Sequence, residues 1–191
     1  MIHQGHVLDY STASGSGSTS VILAEVCKQI SAGSIIADPD GNGYYPVYSD
    51  VPRGNNGFCA YHSYGYCGGV PGTPVQIAFF FDLDGDLGCD PGDTSGLHSQ
   101  GLAALANMTA HEISDTRSDP ASPFAWYDAN GDENGDKCAW TFNVPSVTFY
   151  PNSQTPNTTM WKLQGEWSNA AYTAGTGYPN SLGQKGCLDG H

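Results

Sequence analysis

Positive charge is scarce in this chain. Six Lys and Arg face nineteen Asp and Glu across 191 residues, a formal net charge of −13, so a phosphate backbone or an anionic lipid surface is repelled. Nucleic-acid binding and membrane-surface roles are excluded on that ground. Long apolar runs are missing too: the longest, around Ile77 to Phe81, falls far short of the ~18 residues that span a bilayer. The first six residues, MIHQGH, lack a basic region followed by an apolar stretch and are no signal peptide. The expectation is that a leader has been removed or that the sequence starts inside a longer one. No Cys-x-x-Cys pair marks a thiolate zinc cage, and no Gly-x-Ser-x-Gly elbow marks a serine hydrolase. No internal repeat is present. Only 13% of residues are charged, whereas Gly, Ser, Thr, Asn, Tyr and Pro abound, which predicts short strands, many turns and few long helices.

The length suits one domain with one core. Residues 1–19, which include a polar Ser/Gly/Thr-rich stretch at 11–20, read as a flexible segment, and residues 20–191 as the domain. Six cysteines, Cys27, Cys59, Cys67, Cys89, Cys138 and Cys187, form an even, scattered set. That pattern reads as three disulfides in an oxidising compartment, with fifteen pairings open. Sequons at Asn107 and Asn157 are compatible with secretion.

Ser20 is placed to cap a helix from Val21 to Ile30, with Ile22, Val26 and Ile30 as its buried stripe. Tyr44 to Tyr48 reads as a strand in which Pro46 marks an edge or an end. A cysteine-rich loop follows. The unbroken apolar run from Pro74 to Leu83 predicts a central strand covered on both faces. Leu97 to Ser118 is the strongest helix, with Leu102, Leu105, Met108 and Ile113 as its stripe and Pro120 past its end. Beyond Trp126, short strands are expected at 139–142, 147–150 and 160–167, with Cys187 tying down the tail.

The strongest helix carries the chemistry. Positions i, i+4 and i+8 share a face, so His111, Asp115 and Asp119 present an imidazole and two carboxylates in one direction. In zinc peptidases with a His-Glu-x-x-His helix, two His bind the metal and the Glu takes a proton from its water. Here Asp115 stands at the second His and Glu112 at the base. Glu133 is expected as the third ligand, with Asp136 orienting His111 or Asp115, and His62 competes for the third place. The bland alternative is a solvated helix face with an Arg117 salt bridge.

Two acidic windows have the spacing of calcium loops. Asp82, Asp84, Asp86, Asp90 and Asp93 occupy offsets 1, 3, 5, 9 and 12, although Leu87 replaces the Gly at offset 6 and Asp93 a bidentate Glu. Asp128, Asn130, Asp132 and Asp136 repeat the first four offsets more weakly. Type I or Asx turns explain both equally simply. The tryptophans Trp126, Trp140, Trp161 and Trp167 either line a sugar-binding face or pack in the core.

Several segments together resemble the EXORDIUM family of phosphate-induced proteins. The carriers are GYYPVYSDV at 43–51, FCAYH at 58–62, the helix from His98 to Glu112, Asp119-Pro120, Trp126-Tyr127 and ENGDKC at 133–138, spread from about Ser20 to Cys187. The resemblance implies secretion to the extracellular space or cell wall, and a carboxylate role at Asp115, where the family usually carries Glu. It also implies an N-terminal apolar strand that this sequence lacks.

Two functions fit these readings. One is a secreted, zincin-like α+β domain with a mixed sheet and a central helix, a zinc-dependent hydrolase acting on peptide bonds, with calcium in the acidic loop. The other is a non-catalytic extracellular or wall-associated module that binds a polymer or self-assembles, its metal ions only structural.

Overall fold

The computed structural model describes residues 4–10, 18–68, 74–121, 123, 125–142, 147–148 and 160–188. Three strands, β1 (Tyr44–Pro52), β2 (Ala60–Gly65) and β3 (Val75–Asp82), form a mixed sheet in the order β1-β3-β2, with β1 parallel and β2 antiparallel to β3. Two helices flank it, α1 (Thr19–Ser31) and α2 (Gln100–Ser118).

Strand side chains alternate between faces, and the register sorts them. On one face Ala78 lies between Pro46 of β1 and His62 of β2. This face meets α2: Tyr48 Oη lies 3.2 Å from Thr109 Oγ1, and Gln76 Nε2 donates to Pro120 O over 2.5 Å. On the other face, Ile77, Phe79 and Phe81 share their side with Gly65, whose missing side chain makes room for Leu23 of α1. Cover on both sides explains why β3 reads as an unbroken apolar run and why Ile77 to Phe81 are at most 1% exposed. Pro46 sits in β1, an edge strand of this sheet, where a missing N–H costs no ladder bond.

The helices depart from expectation in detail. α1 starts at Thr19 with Ser18 at its N-cap, so the expected Ser20 cap and a domain start at 20 both fall inside the helix. Ile22 and Val26 are buried as expected. α2 is capped by Ser99, whose Oγ accepts from Leu102 N over 3.3 Å. Of the expected stripe, Met108 is buried and Leu105 packs against the core, whereas Leu102 is exposed; Ala103, Ala104 and Asn107 complete the inner face. Replacing Ser99 with Ala is expected to cost about 1 kcal/mol, a fall in Tm of roughly 2–4 °C. An unchanged melting curve would show that the cap contributes nothing.

The segment expected as a cysteine-rich loop contains β2, and residues 139–142, expected as a strand, form none. The rest is short: α3 (Asn134–Lys137), β4 (Val147–Thr148), β5 (Met160–Trp161), β6 (Glu166–Trp167), α4 (Asn169–Ala174), β7 (Tyr178–Pro179) and β8 (Lys185–Leu188). β4 and β5 pair antiparallel, and β6-β8-β7 form a small antiparallel sheet. The strand expected at 147–150 is described only over 147–148, and the Asn157 sequon lies outside the described residues.

Three disulfides join Cys27 to Cys67, Cys59 to Cys89, and Cys138 to Cys187, leaving no free cysteine. The first two brace the main core around the sheet. The third sits in a second cluster with Trp167, against which Trp126 and Tyr178 pack. The architecture is thus α+β with a mixed and two antiparallel sheets. No helix among the described residues is long and apolar enough to cross a membrane.

Candidate metal centre

The inner face of α2 changes character along its length. Its first half is apolar, but Glu112 and Asp115 are only 3% and 2% exposed. Burying carboxylates is costly unless a charge or hydrogen bond compensates. The partners come from β2 and α3.

His111 and Asp115 are one turn apart, and His111 Nε2 lies 3.3 Å from Asp115 Oδ2. Asp136 of α3 brings Oδ1 to 3.3 Å from the same nitrogen. On the other side of Asp115, His62 of β2 places Nδ1 3.5 Å from Glu112 Oε2 and Nε2 3.5 Å from Glu133 Oε2. The ligand atoms therefore form two groups, His111–Asp115–Asp136 and His62–Asp115–Glu133, each with its atoms within 4.8 Å of one another. Asp115 belongs to both.

α3 is docked tightly. Gly135 N–H donates to Asp115 Oδ1, Ser114 Oγ donates to Asn134 Oδ1 over 2.9 Å, and Asn134 Nδ2 donates to Trp167 O over 2.8 Å. A Cβ on Gly135 would lie 3.0 Å from both Asp115 oxygens and 3.1 Å from His111 Nδ1, so any larger residue there would have to displace the Asp115 and His111 side chains. Gln164 completes the wall: its Nε2 donates to Gly135 O over 2.8 Å and lies 2.9 Å from His111 Nδ1, while its backbone N–H donates to Asn107 Oδ1.

Crowded negative charge sets the proton affinities. Burial pushes the Asp115 carboxyl up to about 6, only partly offset by His111 and the Gly135 N–H. Burial likewise raises Glu133, with His62 opposing and Asp115, Asp119 and Asp136 reinforcing. Burial alone would lower His111, but Asp136, Glu112 and Asp115 outweigh it and bring it to about 9. His62 is raised as well, burial being overcome by Glu112 and Glu133. Asp136, hydrogen-bonded to His111, is held below the usual carboxylate range.

The donor set fits a divalent ion. Ligands of a tetrahedral ion at ~2.1 Å are about 3.4 Å apart, close to the 3.3 Å edges from His111 Nε2 to Asp115 and Asp136. Without an ion, the raised proton affinity of His111 keeps a proton on Nε2 between the two carboxylates, while Gln164 Nε2 donates to Gly135 O and lies beside Nδ1. That proton occupies the position a metal would take.

Other expected sites are not assembled. Asp119 accepts a hydrogen bond from Tyr127 Oη and joins neither group. The five aspartates from 82 to 93 do not converge: Asp82 Oδ1, Asp90 Oδ1 and Asp93 Oδ1 accept from backbone N–H groups two residues on. Asp86 pairs with Arg53 at 2.5 Å, and Asp84 lies against Gly101 at the positive end of α2. In this arrangement Asp82, Asp90 and Asp93 form Asx turns, Asp86 is ion-paired, and none of the five belongs to the groups of close-lying ligand atoms among the described residues. Asp128 accepts from Asn130 N and Asp132 N and pairs with the buried Lys137, whose Nζ also sits 4.5 Å from the Trp167 ring centroid. The second window is therefore a turn as well, and its Asp136 faces His111.

The tryptophans form no common face: Trp126 and Trp167 are core, Trp161 stacks on His98 at 3.7 Å, and Trp140 is half-exposed. No family model, curated protein or solved structure matches the chain.

Proposed function

We propose that this chain is an extracellular metal-dependent hydrolase of the zincin type, with His111, Asp115 and Asp136 holding a zinc ion. The observation that carries it is the pair of equal 3.3 Å approaches to His111 Nε2 from two carboxylates on different helices. Zinc bound there supplies a Lewis acid and a water acidic enough to attack a peptide bond near neutral pH. Glu112, adjacent to His111 and buried against His62, is the acid–base residue. Asp136, with its side chain 51% exposed, opens the group to solvent on one side, as a catalytic site requires. Three disulfides support an oxidising location, and the segments resembling EXORDIUM proteins support the extracellular space.

Glu112→Gln is expected to lower hydrolysis of a peptide library at least about 100-fold while the protein still binds zinc. Full activity in that variant ends the peptidase reading.

One observation favours the alternative of a closed structural ion in a wall-associated or self-assembling module. Two cavities of the molecule are lined by other residues, one by Tyr48, Phe81 and Leu105 and the other by Tyr44, Gln76 and Ile113. A cobalt-substituted protein whose absorption spectrum ignores added azide or cyanide would establish it.

A further inference from the structure

We infer that the centre takes two divalent ions, bridged by the Asp115 carboxylate, the second held by His62 and Glu133. The inference rests on the metal-centre reading proposed above and extends it to a dinuclear site.

Three observations carry it. First, ligands of one ion, at about 2.1 Å, lie within about 4.2 Å of one another. The donors here divide into two groups that share only Asp115, so His62 and Glu133 do not complete the ion at His111. Second, the His62 ring is set up as a ligand. Nδ1 faces the buried Glu112 at 3.5 Å, and Nε2 faces Glu133 at 3.5 Å. A ring that donates Nδ1–H to Glu112 turns Nε2 toward Glu133, where either a second proton or a metal ion can sit, and carboxylate–His–metal chains are built this way. Third, four carboxylates, Glu112, Asp115, Glu133 and Asp136, surround two imidazoles, and the ion pairs that Lys and Arg form among the described residues go elsewhere, to Glu25, Asp86 and Asp128, so a bound cation competes there only with protons.

Asp115 is suited to bridging because its two oxygens are held in fixed directions. Gly135 N–H fixes Oδ1, and Oδ2 is turned to His111. Two ions sharing a carboxylate sit about 4 Å apart and clamp the two oxygens of a displacement between them, so the substrate class deepens to amide or ester bonds handled by paired ions.

The test is stoichiometry and coupling. The intact, oxidised protein is saturated with zinc, freed of excess on a desalting column and analysed for metal, and a manganese-loaded sample is examined by electron paramagnetic resonance. About two ions per chain and an exchange-coupled manganese spectrum are expected, with His62→Ala and His111→Ala each retaining one uncoupled ion. One ion per chain, or two with uncoupled spectra, overturns the inference. The outcomes separate the two claims: one ion with peptide hydrolysis sinks only the pairing, whereas two coupled ions without hydrolysis sink only the enzyme.

Discussion

Asp115→Asn empties the centre while leaving the fold in place. The Asn carbonyl still accepts the Gly135 N–H that docks α3 on α2, and removing a buried carboxylate from among Glu112, Glu133 and Asp136 offsets a weaker contact to His111. Metal-free stability at pH 8 is therefore expected to change by no more than about 1 kcal/mol. The metal-dependent part is lost entirely. If zinc binds as proposed, a thousandfold excess over its Kd is expected to add about 4 kcal/mol to the native protein, a rise in Tm on the order of 10 °C, whereas melting curves of the variant with zinc and with EDTA are expected to coincide. Asp115→Ala behaves differently, because it also leaves a buried N–H unbonded and costs a further ~1–3 kcal/mol without metal. If Asp115→Asn retains native metal content after desalting, the assignment of this residue is wrong.

Chelation of the proposed ion is expected to destabilise the protein most at high pH, and the sign follows from the raised proton affinities. Asp115, ordinarily 3.8, stands at about 6 in the metal-free fold, so its ionisation becomes a cost that grows between those two values and stays above them. Glu133 is raised in the same direction. His111 stabilises the metal-free fold fully below its ordinary 6.5, and that contribution is lost as pH rises through about 9. All three make the metal-free protein less stable from about pH 4 to pH 9. Asp136 and Asp86, both held below 3.8, act oppositely and only at the acid end, where their contribution is lost as pH falls. Metal reverses the trend, since its ligands must be deprotonated. Melting curves from pH 5 to 9 with and without EDTA should therefore diverge, nearly meeting at pH 5 and separating most near pH 9. Parallel curves would mean that no ion competes with these protons.

What could be read from the sequence follows from how local each signal is. β3 and α2 are specified by runs of their own residues, and the one-turn spacing of His111 and Asp115 survives in the fold because helices keep i and i+4 together. β2 was hidden by its cysteine and glycine neighbours, although Tyr61 and Tyr64 around His62 carry the aromatic content of a strand. His62 could be named only as a rival ligand, because its place depends on β2 pairing with β3 so that it shares a face with Ala78. Gln164 gave no signal at all: its role arises where the chain returns to α2 more than fifty residues later. The acidic windows are ambiguous for a complementary reason. Carboxylates at alternate positions are what both a calcium loop and a series of Asx turns require, and the deciding partner, Arg53, lies 33 residues upstream of Asp86.

The bridge from Cys138 to Cys187 closes immediately beyond the 133–136 stretch that faces α2. A covalent tie at that point removes freedom from the chain before it folds, so the four-residue α3 enters its place beside α2 with fewer arrangements to lose than so short a helix would otherwise have.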